Sequence, residues 1–180
     1  FYEKNNAFNA RSYSLQTNLA YSLTNEHLDF FDKFCSIYGL GTSFDGSLRF
    51  KETEDQALWE HNVKMLSKKY NITVLVTINN WLIKQDPKEF LDYLENLGVS
   101  YFNLQQITPN GNAIDLSLPS IEERDEWLFK LLDVSKDRKI QNMLFDSLLK
   151  SFVINKVFLI SAVYPLTQTQ LKLLIIVKPL

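Results

Sequence analysis

A single cysteine, Cys35, occurs in the 180 residues, so no internal disulfide can form. The two histidines, His27 and His61, have no metal-ligand spacing to it or to each other, which disfavours a self-contained zinc or iron–sulfur centre. Charge of one sign is lacking too. Nineteen Lys and Arg face twenty-one Asp and Glu, a formal net charge of -2, and no global basic field exists to attract phosphate backbones. The reading therefore predicts no nucleic-acid partner. The longest apolar run, 157–166, is broken by Pro165 and falls short of the ~20 apolar residues of a spanning helix. Residues 1–10 show neither a basic nor an apolar signal region, and the reading predicts a cytoplasmic, reducing compartment.

What is present is globular. The chain is 46% hydrophobic, 13% aromatic and 22% charged, unlike a disordered chain, and its length suits one domain of ~100–200 residues. Residues 12–18 (SYSLQTN) read as a strand ending in Gln16, Thr17 and Asn18. A helix follows over 25–38, with Leu28, Phe31, Phe34, Cys35 and Tyr38 at three- and four-residue spacing and Gly39 as terminator. Cys35, on that apolar stripe, reads as a small core residue. A second strand over 39–44 leads through a loop to a helix over 54–70, with Thr53 and Gln56 placed as a capping box.

The run ITVLVTI at Ile72–Ile78 has the β-branched, uncharged character of a central strand covered on both faces. Asp86, Pro87 and Glu89 open the next helix, which Gly98 ends. Residues 99–107 are a fourth strand, 108–118 a loop, and Ser120 with Glu123 starts a helix to about 134. Strand onsets near Ser12, Gly39, Ile72 and Ser100 thus repeat every ~30 residues, the length of a βαβ unit. The expectation is an α/β fold with parallel (β/α) repeats over 1–150. Right-handed crossovers then gather the loops 16–24, 44–53, 79–86 and 108–120 at one end of the sheet, the ligand-binding end. Residues 151–180 contain no Asp or Glu and form an apolar tail of different character.

Ser43-Phe44-Asp45-Gly46-Ser47-Leu48-Arg49 places a hydroxyl, a carboxylate, a flexible glycine and a guanidinium in one strand-end loop. Arg49 can hold a ligand carboxylate with two hydrogen bonds, or it can pair with Asp45 in a turn. The acids Glu52, Glu54, Asp55 and Glu60, and likewise Glu122, Glu123, Asp125 and Glu126, read as solvated helix starts. Trp59, Trp81 and Trp127 read as packing residues. No phosphate-binding glycine loop and no serine-nucleophile elbow occurs.

Gln16-Thr17-Asn18 ending one strand, the GTSFDG run at 41–46 with Arg49 behind it, Trp59 and Asn62 in the next helix, the 74–80 strand and ITPNGNA at 107–113 resemble the middle of a radical S-adenosylmethionine enzyme. The likeness is to the SPASM-domain group of sulfatase maturases and other peptide-modifying enzymes, and spans 12–134. It implies an arc of a partial (β/α)6 barrel, its strands in sequential order with helices on one face, with S-adenosylmethionine and a [4Fe–4S] cluster at the strand ends. Reductive cleavage there yields a 5′-deoxyadenosyl radical that takes hydrogen from a peptide or protein substrate. By that resemblance the cofactor-binding residues are Asn18, Ser43, Asp45, Arg49, Thr108 and Gly111. Ser43 and Arg49 meet the amino-acid portion of the cofactor, Asn18 lines the pocket, and the 108–111 turn lies near the adenosine.

The family's CxxxCxxC cluster motif and glycine-rich segment are not in this sequence and are expected ahead of Phe1, as for a fragment. The tail is open to two readings, a divergent C-terminus or a frame change near 152–156. The alternative on function is a non-catalytic α/β remnant or interaction module. A hydrolase would need an activated nucleophile or metal, and neither is visible.

Overall fold

The computed structural model describes residues 15–35, 39–46, 49–50, 52–107, 117–136, 138–142 and 145. Strand and helix alternate along them: β1 (Leu15–Gln16), α1 (Asn25–Cys35), β2 (Leu40–Phe44), α2 (Thr53–Leu66), β3 (Ile72–Ile78), a 3-10 turn (Leu82–Lys84), α3 (Pro87–Asn96), β4 (Tyr101–Gln106), α4 (Ile121–Ser135) and β5 (Gln141–Asn142). The strands form one sheet in the order β1-β2-β3-β4-β5, every neighbouring pair parallel. The fold is therefore α/β, its sheet parallel as the repeat spacing predicts and its strands in the expected sequential order. The proposed strand onset at Ser12, the 108–116 loop and the 151–180 tail lie outside the described residues.

Local chemistry sets the helix ends. The Asp86 carboxylate accepts from the Lys88 and Glu89 amides at 2.9 and 3.0 Å, with Pro87 in the first turn, and so opens α3. Ser120 and Glu123 form a reciprocal capping box at α4, their bonds 3.2 and 3.0 Å long. The box expected at Thr53 and Gln56 does not form. α2 starts one residue earlier, behind Glu52 and with no side-chain cap, so Thr53 is its first helical residue, and the Gln56 side-chain amide donates to Glu60 Oε1 at 2.9 Å.

The two-residue period of the strands separates two faces. Leu40, Thr42 and Phe44 of β2, Ile72, Val74, Val76 and Ile78 of β3, and Phe102 and Leu104 of β4 are buried. α2 and α3 lie on this face: Trp59 packs 5.2 Å from Phe44, and Phe90 lies 6.4 Å from Phe102, centroid to centroid. α4 joins α3 through Trp127, 6.0 Å from Phe90. On the opposite face Gly41, Ser43, Thr73, Leu75, Thr77, Tyr101 and Asn103 are only half-buried. This corrects the expectation that β3 is covered on both faces. Among the described residues the helices cover one side, and the threonines of ITVLVTI mark the other.

Candidate functional site

Asn18, Ser43, Asp45 and Arg49 lie in or after β1 and β2, and the bonds around them run between β1, β2 and β3. In β1, Gln16 lies in register with Gly41, and its amide donates to Ser43 Oγ at 3.1 Å. The Thr17 amide donates to Gly41 O at 2.9 Å, which extends the β1–β2 pairing by one residue. Asn18 follows there, exposed, with its Oδ1 accepting from the Ala20 amide at 3.2 Å. Thr42, fully buried on the helix side, takes the Trp59 indole N–H at 3.0 Å and donates to Asn18 O at 3.3 Å. The packing role expected of Trp59 thus includes a hydrogen bond that ties α2 to the site loop.

Asp45 organises the loop after β2. The expected local pair forms, with Arg49 Nε 3.2 Å from Asp45 Oδ2 and both side chains about a quarter exposed at 26% and 22%. The other carboxylate oxygen accepts from the Thr77 hydroxyl of β3. The Asp45 backbone carbonyl accepts from Asn79 Nδ2 at 2.9 Å. Asn79 in turn receives the Trp81 and Leu82 amides on its Oδ1, at 3.0 and 2.9 Å, and so starts the 3-10 turn. Gly46 has φ +57° and lies against the Trp81 ring. The ends of β2 and β3 are therefore one bonded unit, with Arg49 held on its outer side.

Asn18 and Ser43 belong to the β1–β2 bonds and Asp45 and Arg49 to the loop after β2, two bonded groups on neighbouring parallel strands. Thr108 and Gly111 lie outside the described residues. Sequence reasoning missed Thr77, Asn79 and the Thr42 anchor. Thr73 and Thr77, four residues apart among aliphatics, were the available signal for a half-open face. The acids around α2 are exposed at Glu52, Glu54 and Asp55, but Glu60 is half-buried and accepts the Tyr93 hydroxyl of α3 at 2.8 Å. Burial, with Glu60 beside it, pushes the Tyr93 phenol well above its usual range. At α4 the exposed-start reading holds for Glu122, Glu123 and Glu126. It fails at Asp125, which is buried with its Oδ1 on the Arg124 guanidinium at 2.8 and 3.0 Å.

A [4Fe–4S] cluster requires thiolate ligands. Cys35 is the only cysteine of the sequence, and it is fully buried in the helix-side core, where burial pushes its thiol up. The residues present do not fit a cluster. Among the described residues no group of three or more His, Cys, Asp or Glu side chains is placed to hold a metal ion. The donors and acceptors at the strand ends suit a small polar ligand instead: a guanidinium for a carboxylate, and Ser43 and Asn18 for neutral hydrogen bonds. No helix of the described residues is long and apolar enough to cross a membrane. No protein-family model matches the chain, and no curated protein matches it.

Proposed function

We propose that this chain is an arc of a partial (β/α)6 barrel from a radical S-adenosylmethionine enzyme of the peptide- or protein-modifying kind, and that its strand-end loops hold S-adenosylmethionine. One observation carries the reading. The strands are parallel and sequentially ordered with one face half open, and Ser43 of β2 and the Asp45–Arg49 pair of the loop that follows it lie at the strand ends where such folds bind ligands. Sequential order with helices on one side is the pattern of a barrel arc, whereas a doubly wound sheet reverses order partway and covers both faces.

In this reading Arg49 exchanges the Asp45 carboxylate for the methionyl carboxylate. The attraction at ~4 Å is of order 4 kcal/mol at an effective dielectric of about 20, and partial exposure reduces the local pair to about 1 kcal/mol or less. The resting pair is thus weak enough to yield. Ser43 offers a hydroxyl beside it, and Asp45 stays fixed through Thr77. S-adenosylmethionine, if bound, would supply a sulfonium C–S bond that one electron, from a donor outside these residues, cleaves to methionine and the hydrogen-abstracting 5′-deoxyadenosyl radical. Since Cys35 cannot serve, thiolates for a cluster would have to come from outside these 180 residues. That same fact favours the second reading, a non-catalytic α/β remnant or interaction module.

Titration of S-adenosylmethionine into the isotope-labelled chain separates the two. The expected result is movement of the Asn18, Ser43, Gly46 and Arg49 amide signals, abolished or weakened in Arg49→Ala. If those four signals stay still at millimolar ligand, the cofactor reading is wrong and the remnant reading takes its place.

A further inference from the structure

Leu19 is the one non-glycine residue with positive φ among the described residues, at 55°, and its side chain is fully buried. A leucine does not adopt the left-handed region unless its surroundings hold it there. The holding group is on α2. Asn62, 2% exposed, donates from the single nitrogen Nδ2 to Leu19 O at 2.9 Å and to Tyr21 O at 2.8 Å. A primary amide has two N–H groups on one nitrogen, and both are used. An aspartate of the same shape has none to offer. Together with the Thr42 hydroxyl on Asn18 O, this fixes the carbonyls of Asn18, Leu19 and Tyr21 from the helix side, within one turn of backbone.

We propose that Asn62 is a positioning residue for the S-adenosylmethionine site: it holds Leu19 left-handed and thereby sets Asn18 beside the Ser43 end of β2. The inference rests on the cofactor reading above. Asn62 touches no ligand in this scheme. Its effect runs through the population of the loop conformer that can bind, and apparent affinity falls by that fraction.

The test uses the full 180-residue chain, with Asn62→Asp, Asn62→Ser and the control Leu94→Ala, a fully buried α3 residue distant in sequence from the loop. Asn62→Ser keeps a hydroxyl donor and covers the case in which the aspartate variant does not fold. S-adenosylmethionine is titrated calorimetrically at a temperature where all tested variants are folded, and the Ala20 and Tyr21 amide signals are followed in parallel. The expected result is affinity about tenfold lower in the Asn62 variants, with those amides shifted, and wild-type affinity in Leu94→Ala despite its lower melting temperature. Wild-type affinity in a folded Asn62 variant overturns the positioning role alone. A wild-type chain that does not bind S-adenosylmethionine overturns the cofactor reading, and this inference with it.

Discussion

Replacing Gly46 by alanine tests the joint between the β2 and β3 loops. Two costs add at this position. The backbone has φ +57°, where a Cβ meets the following carbonyl at ~1–2 kcal/mol. That Cβ would also stand 2.5 Å from Trp81 Cε3 and 2.7 Å from Cδ2, inside contact distance, so the indole must move. Displacing a packed ring costs about 1–3 kcal/mol. The sum, about 2–5 kcal/mol, is a large share of the ~5–15 kcal/mol that stabilises a domain. At ~2 kcal/mol per molar urea it lowers the unfolding midpoint by about 1 M or more. Trp81 lies on the Asn79 cap that also holds Asp45 O, so its indole signal should shift while those of Trp59 and Trp127 stay in place. Gly41→Ala is the matched control. Its Cβ would lie at an ordinary 3.4 Å from Leu15 O, and an alanine in a strand is no worse than a glycine there. A Gly46→Ala chain as stable as wild type, with an unmoved Trp81 signal, would refute the reasoning.

Further outcomes follow from single contacts. Thr77→Val keeps the strand's shape but removes the hydroxyl that Asp45 accepts, and should cost about 1 kcal/mol in urea unfolding; no loss would mean that the Thr77 hydroxyl does not hold the Asp45 carboxylate. Cys35, buried with its thiol pushed up, should resist a thiol reagent in the native chain by about 10³-fold relative to the unfolded chain. Immediate stoichiometric labelling would contradict its place in the core. Asp32 is held below the ordinary value of 3.8 by hydrogen bonds from Lys69 and Tyr70. The folded chain therefore binds that proton more weakly than the unfolded chain. The stabilisation is complete above the unfolded value and is lost as pH falls through the folded one. Asp32→Asn should flatten the stability curve on that acid side and leave its slope near neutrality unchanged, as read from thermal melts over pH 2–7.

Much of this fold was legible because its determinants are local. Asp86-Pro87 and Ser120 with Glu123 announce helix starts within four residues, and those two helices begin where the sequence puts them. Ile72–Ile78 has the bounds expected of it. Where the helix start is shifted by one residue, the local signal fails. α2 has Glu52 at its N-cap position and already contains Thr53, so the box at Thr53 and Gln56 is out of register. The two-residue β5 was not anticipated, since Gln141 and Asn142 carry no strand pattern and are strand only by pairing with Tyr101 and Phe102. The candidate site divides in the same way. Asp45 and Arg49 are four residues apart and could be paired on sight, but Thr77 and Asn79 reach Asp45 from 32 and 34 residues away, and Asn62 reaches Leu19 across 43. Pairings of that span are set by the sheet register, which no short motif encodes.

The register itself is protected by the way β2 divides its residues. Thr42 and Phe44 face the helices, while Ser43 and then Asp45 fall to the open side, so anchor and site groups alternate along one strand. A slip of one residue would exchange them. Phe44, now 2% exposed, would lose its burial against Trp59, Phe50 and Trp81, about 1.5–3 kcal/mol. Asp45 would enter the apolar layer without Arg49 or Thr77, and an unpaired buried carboxylate costs several kcal/mol more. The two penalties act in the same direction and together approach the stability of the whole domain. The polar groups at the strand end are thus held in place less by their own bonds, most of which are partly exposed, than by the aromatic residues one position away on the other face.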